Sequence, residues 1–311
     1  SGYEKGTWIH VDNPDEEEIN HLHEGLGVPL PFLRAAMDPR EVARTDSRKD
    51  IHLIIVRAPY EFGAGDSVPY RTVPLAMIIA PDHFITMCRR PIDFVRDLNY
   101  NFDERELLTR RAGRLVLAIL AVVGDWFLRY LEEIDQRLED VEDRLMDSIE
   151  NKEMMELLSY EKSLVYIKTG LQWNEQMVEH LQGKTYFDWG DQDQELFEDV
   201  HIEYRQAYHM ADTMLAVLGG TTDAFASLIS NNLNVVMKIL AAITIVLTVP
   251  MLIASIYGMN VTLPAEDAPS AFALLILISM LLALLVTWWF QRHGWLSFRL
   301  KRYHSGGSRG N

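Results

Sequence analysis

The chain has 311 residues, with 29 Lys and Arg against 45 Asp and Glu, and its formal net charge is -16. So acidic a chain is a poor candidate for nucleic-acid binding, which requires a basic surface. The single cysteine, Cys88, excludes a disulfide framework and any CxxC metal site.

The first part of the chain, residues 1–102, mixes strand and helix patterns. Apolar runs bounded by turn residues predict strands at 7–13, 51–58, 73–80 and 83–88. Asn13-Pro14, followed by four acidic residues, predicts a helix start between the first two strands. We therefore expect an N-terminal cytoplasmic α+β domain over 1–102.

The next part, residues 103–192, reads as helical. Within 131–150 acidic residues alternate with apolar ones spaced three and four apart, which predicts a packing seam with a solvated acidic face. The seam residues are Leu131, Ile134, Leu138, Val141, Leu145 and Ile149. Glycines at both ends of 183–190 predict a break before the next helix.

A single long helix is predicted over 193–257, because no proline occurs in it before Pro250. Its last part carries no charged residue from Ile239 to Ile256, so a stalk helix would continue into a first transmembrane helix. Gly219-Gly220 is its weakest point and could bend.

The first span carries a narrow, uncharged, weakly polar stripe. Thr244, Thr248 and Ser255 share one helical face at spacings of four and seven residues. The same spacing adds Asn234, Met237, Ala241 and Met251. Such a stripe is typical of a helix that lines a pore built by several subunits. Hydroxyls that bond their own helix, or pack against a partner helix, are the alternative.

The remaining segments are a loop at 258–270, a second apolar span at 271–290 and a basic tail at 291–311. The loop contains Glu266 and Asp267, which could concentrate cations at a pore mouth or serve only solubility. Basic residues lie before the first span and after the second, at Lys238, Arg292, Arg299, Lys301 and Arg302. The positive-inside rule then places both termini in the cytoplasm and the loop outside.

Two motifs around the first span carry a family resemblance. Asn234-Val-Val-Met237-Lys238 precedes it, and Tyr257-Gly258-Met259-Asn260 ends it, 22 residues after Lys238. With a second span following, the chain resembles the CorA family of divalent-cation channels of bacterial inner membranes. The resemblance implies a funnel-like homopentamer with Mg²⁺ as cargo and with Co²⁺ and Ni²⁺ as further candidates. It also places the pore constriction at Asn234, Met237 and Leu240, whereas Thr248 stands where the family often has an apolar residue.

The resemblance makes Gly258, Met259 and Asn260 the selectivity filter. Neutral oxygens suit Mg²⁺, which sheds its water reluctantly, since the Asn260 amide and the Gly258 carbonyl can bind the hydrated ion. Gly258 is expected to let the chain turn out of the helix. Without the upstream motif, an ordinary helix C-cap would explain the tripeptide equally well.

The resemblance also implies that cytoplasmic Mg²⁺ closes the pore at acidic groups between subunits. Asp199 matches one such carboxylate by its distance from the filter, and its partner is expected near residues 33–38 of a neighbouring chain. That segment has Arg34 near the expected acid and Asp38 displaced from it.

Three alternatives to a magnesium channel remain open. A zinc transporter of the same superfamily would use histidines, but we expect no carboxylate set to complete a site at His21, His23, His201 or His209. A non-transporting, membrane-anchored coiled-coil protein would explain the seam but not the stripe. The chain has no GxSxG, HExxH or GxxxxGK[ST] motif, so we predict no enzyme and no organic cofactor.

Overall fold

The computed structural model describes residues 5–63, 66–92, 97–98, 112–147, 151–184, 187, 189–261 and 270–295. Within these residues, five strands and six helices follow one another along the chain. They are β1 (Thr7–Asp12), α1 (Glu16–Leu26), α2 (Leu30–Met37), β2 (Arg44–Arg48), β3 (Ile51–Glu61), β4 (Tyr70–Ile79), β5 (His83–Cys88), α3 (Ala112–Asp147), α4 (Asn151–Gln182), α5 (Asp191–Tyr257) and α6 (Ala271–Arg292).

The strands form one mixed sheet in the order β1-β5-β4-β3-β2. β1 runs parallel to β5, with Thr7 opposite His83 and Asp12 opposite Cys88. The other neighbours are antiparallel. The four predicted strands are confirmed, whereas β2 was missed because its sequence, RTDSR, has no apolar residue to mark it. Pairing with β3 holds β2 at the sheet edge.

Helices α1 and α2 cover one face of this sheet. α1 begins with a capping box, in which the Asp15 carboxylate accepts from the Glu18 N–H and the Glu18 carboxylate accepts from the Asp15 N–H. The predicted helix start is therefore confirmed. Phe32 and Leu33 of α2 pack with alternate strand residues such as Ile55 and Ile78.

Helix α3 contacts β3, and helix α4 contacts β2, β3 and β4. The strand residues that alternate with the first set, including Ile54 and Met77, are also fully buried. Polar side chains of α4 pair with strand backbone: Asn174 bonds both the N–H and the C=O of Arg57, each at 2.8 Å. The seam on α3 is buried from Leu131 to Leu145, and Ile149 lies outside the described residues.

The chain divides into two units, Ser1–Gly220 and Thr221–Asn311. In the first unit, the start of α5 packs beside α3, where Tyr204 donates to the Leu120 carbonyl at 2.9 Å. In the second unit, the remainder of α5 and the whole of α6 are each long and apolar enough to cross a membrane. The predicted class, an α+β domain followed by a long helix and two apolar C-terminal helices, is confirmed.

Candidate functional site

The predicted pore positions share one exposed side of α5. All eight are exposed in the single chain: Asn234, Met237, Leu240, Ala241, Thr244, Thr248, Met251 and Ser255. The covered positions of the same segment are Ile239, Ala242, Val246, Val249, Pro250 and Ile253. At about 100° per residue the two sets lie on opposite sides of the helix. The stripe is therefore free to face other subunits, lipid or a pore.

Two hydroxyls of the stripe bond to their own helix. Thr244 Oγ1 donates to the Leu240 carbonyl at 2.8 Å, and Thr248 Oγ1 donates to the Thr244 carbonyl at 2.7 Å. The protons of these two hydroxyls are therefore bonded within their own helix, as the alternative to pore lining predicted. Each oxygen still carries lone pairs that can accept a further hydrogen bond.

Helix α5 ends at Tyr257, directly before Gly258. The Gly258 N–H donates to the Ala254 carbonyl at 3.0 Å, and the Met259 N–H donates to the Ile256 carbonyl at 3.2 Å. Gly258 is not among the glycines with positive φ, so α5 ends there without a left-handed cap. A Cβ there would lie 3.4 Å from the Ala254 carbonyl, an ordinary contact. The single chain therefore has room for alanine at this position.

Met259 and Asn260 follow as exposed residues. The segment 262–269, with Glu266 and Asp267, lies outside the described residues, as do Arg299, Lys301 and Arg302.

Asp199, the predicted regulatory carboxylate, is exposed on the part of α5 that belongs to the first unit. One turn further along α5, Glu203 lies against Gly124 of α3, where an added Cβ would be 2.8 Å from Glu203 Oε2. That oxygen is buried and accepts no hydrogen bond. Burial, then the charges of Asp125 and Asp199, raise the pKa of Glu203 to about 7. Asp199 and Asp125, which is also paired with Arg129 at 3.1 Å, therefore both act on this buried carboxyl group.

We define Asp125, Asp199 and Glu203 as the acidic trio. The sequence offers a partial signal for it, since Asp199 and Glu203 are four apart on one helix. Asp125 could not be found in this way, because only the packing of α3 beside α5 brings it there.

Asp38 lies elsewhere, exposed at the C-terminal end of α2. Its carboxylate accepts from the Arg40 N–H at 2.9 Å. Arg34, Glu41 and Arg44 line the same shallow cleft, and Arg44 is paired there with Glu41 at 3.0 Å.

One expectation about the histidines is wrong. His201 of α5 faces Glu175 and Glu179 of α4, and the three possible ligand atoms lie within 4.8 Å of one another. Glu175 and Glu179 carry no sequence mark that pairs them with a histidine in another helix. By contrast, His23 is used locally, with Nδ1 2.7 Å from the Val28 carbonyl oxygen.

Known proteins resemble this chain over nearly its whole length. A family model described as CorA-like Mg²⁺ transporter protein matches residues 3–292. The cobalt/magnesium transport protein CorA of Methanocaldococcus jannaschii is 28% identical over 293 residues, which are 93% of this chain and 91% of that protein. The protein of the same name from Thermotoga maritima is 23% identical over 189 residues, 60% of this chain and 54% of that protein.

Solved structures agree with this assignment. The complete structure of the CorA magnesium transporter from Methanocaldococcus jannaschii matches with a TM-score of 0.82 at 28% identity, over 93% of this chain and 91% of that one. The full-length CmaX protein shares the fold, with a TM-score of 0.69 at 19% identity over 93% and 88% of the two chains. Because the family model spans nearly the whole chain, with the Gly258-Met259-Asn260 motif at the end of α5, the chain belongs to the CorA-like Mg²⁺ transporter family.

Proposed function

We propose that the chain forms a homopentameric channel that carries Mg²⁺ passively into the cell across the inner membrane. Family membership supports Mg²⁺ as cargo, and the relatives' names add Co²⁺. The observation that carries the pore is the stripe, which is exposed on the side of α5 opposite to its covered face. Two helices from one chain cannot enclose a water-filled path, so several chains must contribute.

The proposed ion path runs along this stripe. Gly258, Met259 and Asn260 form a ring of neutral oxygens at the outer mouth, and the ring holds the ion through its water shell. Below it, Thr248 and Ser255 offer hydroxyl oxygens. Met237, Leu240 and Met251, which are 62%, 56% and 69% exposed, are candidates for apolar constrictions that gate by dewetting. Asn234, Ala241 and Thr244 are the remaining positions that we propose to line the path.

The membrane potential is the proposed driving force. Two charges that cross a potential of about 100 mV gain about 4.6 kcal/mol, and no nucleotide hydrolysis is needed. Influx requires the filter outside and both termini in the cytoplasm, as Lys238 and Arg292 at the inner ends of the spans favour. We assign no catalytic residue and no organic cofactor.

We propose Asp199, with the other two carboxyl groups of the acidic trio, as the cytoplasmic Mg²⁺ sensor. A carboxylate cluster attracts a hard divalent cation. Asp38 is the second candidate for this role, in a cleft that it shares with Arg34, Glu41 and Arg44.

Mg²⁺ uptake into liposomes tests the proposal. We expect the purified chain to admit Mg²⁺ without ATP, faster when a potassium diffusion potential makes the lumen negative. Asn260→Ala should abolish this uptake. Asn232→Ala is a matched control, because Asn232 is also exposed but lies off the stripe, on the other side of α5. Absence of uptake by the unmodified chain would support a membrane-anchored protein that transports nothing.

Ion competition in the same liposomes tests the choice of cargo. We expect Co²⁺ and Ni²⁺ to slow Mg²⁺ uptake by competing at the Asn260 ring. Uptake of Zn²⁺ without uptake of Mg²⁺ would instead favour a zinc transporter.

A further inference from the structure

A mixed cluster of carboxylates and imidazole lies between α4 and α5 in the first unit. Glu175 and Glu179 stand one helical turn apart on α4, so both carboxylates point to the same side. His201 approaches them from α5, with Nε2 4.0 Å from Glu175 Oε1. Glu175 and His201 are half-buried, and Glu179 is exposed to solvent, which leaves an entry path.

The cluster already holds one cation, the guanidinium of Arg205. Its Nη2 lies 3.2 Å from His201 Nε2, and its Nε lies 3.7 Å from Glu175 Oε1. A guanidinium can only donate, so the nitrogen of His201 that faces Arg205 stands where it can act as the acceptor. The same nitrogen faces the Glu175 carboxylate, so one ring atom and one carboxylate surround the position that Arg205 occupies.

This cluster is separate from the acidic trio. His201 and Arg205 lie on one flank of α5, beside α4, whereas Asp199 and Glu203 lie on the other flank, beside α3. At about 100° per residue, His201 is about 200° from Asp199 around the helix. An ion bound at one flank does not share a ligand with the other.

We propose that Glu175, Glu179 and His201 form a site for a borderline-soft divalent ion such as Zn²⁺ or Co²⁺, with water completing the coordination. An imidazole and two carboxylates are the ligands of such ions, whereas Mg²⁺ prefers oxygen alone. Arg205 swings out when the ion enters, because two cations cannot share the two carboxylates. The site therefore binds a class of metal that the proposed filter does not hold directly. This inference does not depend on the proposed channel function.

Zn²⁺ binding to the full chain in detergent tests the site. The titration uses a competing chelating dye, with millimolar Mg²⁺ present to fill sites made of oxygen ligands. We expect His201→Gln to lose one Zn²⁺ per chain, and Glu179→Gln to weaken the same binding at least about tenfold. His209→Gln is the matched control, since His209 is exposed on the same helix, and it should bind as the unmodified chain does.

Two further readouts separate ligation from a general loss of structure. Arg205→Gln should tighten Zn²⁺ binding, because it removes the competing cation. Bound Co²⁺ should change its visible absorption when His201 is replaced and keep it when His209 is replaced. Equal Zn²⁺ stoichiometry in the unmodified chain and in His201→Gln would overturn the site, as would weaker binding in Arg205→Gln. Neither measurement reads ion flux, so failure here leaves the channel proposal standing.

Discussion

Glu203→Gln tests whether the buried carboxyl group of the acidic trio is a local weakness of the first unit. The pKa of Glu203 is raised from 4.5 to about 7, first by burial and then by Asp125 and Asp199. The folded protein therefore holds a proton that the unfolded chain releases. The stability that depends on this proton is fully present below pH 4.5 and is lost as the pH rises through 7.

The size of the effect follows from the raised pKa. At pH 8, the difference corresponds to at most about 3 kcal/mol of lost stability. Because Glu203 is only half-buried, solvent screening reduces this to about 1–2 kcal/mol. Glutamine keeps the shape and remains neutral, so Glu203→Gln should be more stable than the unmodified chain at pH 8 by that amount. At pH 4.5 the two should be nearly equal.

Thermal unfolding between pH 4.5 and 8.5, in EDTA to exclude metals, measures this difference. A gain of about 2–8 °C in Tm at pH 8 is expected, since each kcal/mol shifts the Tm of a unit of this size by about 2–4 °C. Glu198→Gln, at an exposed position of the same helix, should show no such dependence on pH. A Tm difference for Glu203→Gln that stays constant with pH would refute the reasoning.

Two other predictions concern stability. Arg57 is 5% exposed and donates to the Pro39 and Glu41 carbonyls and to both oxygens of Thr72. Arg57→Met should lower the free energy of unfolding by about 3 kcal/mol in denaturant, because these acceptors lose their donor. An unchanged unfolding midpoint would contradict this. Gly170→Ala should destabilise by about 1–3 kcal/mol, since its Cβ would meet Thr72 Cγ2 at 2.8 Å. Gly220→Ala, with no atom within 4 Å, should instead stabilise by about 1 kcal/mol; the same sign for both glycines would contradict the assigned contacts.

The sequence predicted the elements whose causes are local. Strands β1, β3, β4 and β5 carry apolar runs, and α1 carries its own cap at Asp15, so each could be found without knowing its neighbours. The polar edge strand β2 carries no such mark, and its pairing with β3 alone makes it a strand. The seam on α3 could also be predicted, since its apolar residues recur with the period of a helix that has one buried side.

The residues that gather around the first half of α5 were less predictable. Asp125, Glu175 and Glu179 are ordinary acids in acid-rich helices, and their sequence separations from α5 follow no fixed rule. Only the packing of α3 and α4 against opposite flanks of α5 gives them partners. The stripe and the motif at 258–260 could be read in advance, because all of their members lie on one continuous segment.

The back-bonded threonines bear on which ions the proposed pore suits. A hydroxyl whose proton is committed to a helix carbonyl, as in Thr244 and Thr248, presents only acceptor lone pairs to its surroundings. The water molecules around Mg²⁺ turn their oxygens to the ion and their protons outward, so a hydrated cation offers donors and seeks acceptors. A hydrated anion presents the reverse arrangement and finds no donor at these hydroxyls. The threonines' bonds to their own helix would by themselves favour a merely structural role. They are nevertheless compatible with a stripe that passes hydrated cations. Such a stripe disfavours anions even though it carries no charged side chain.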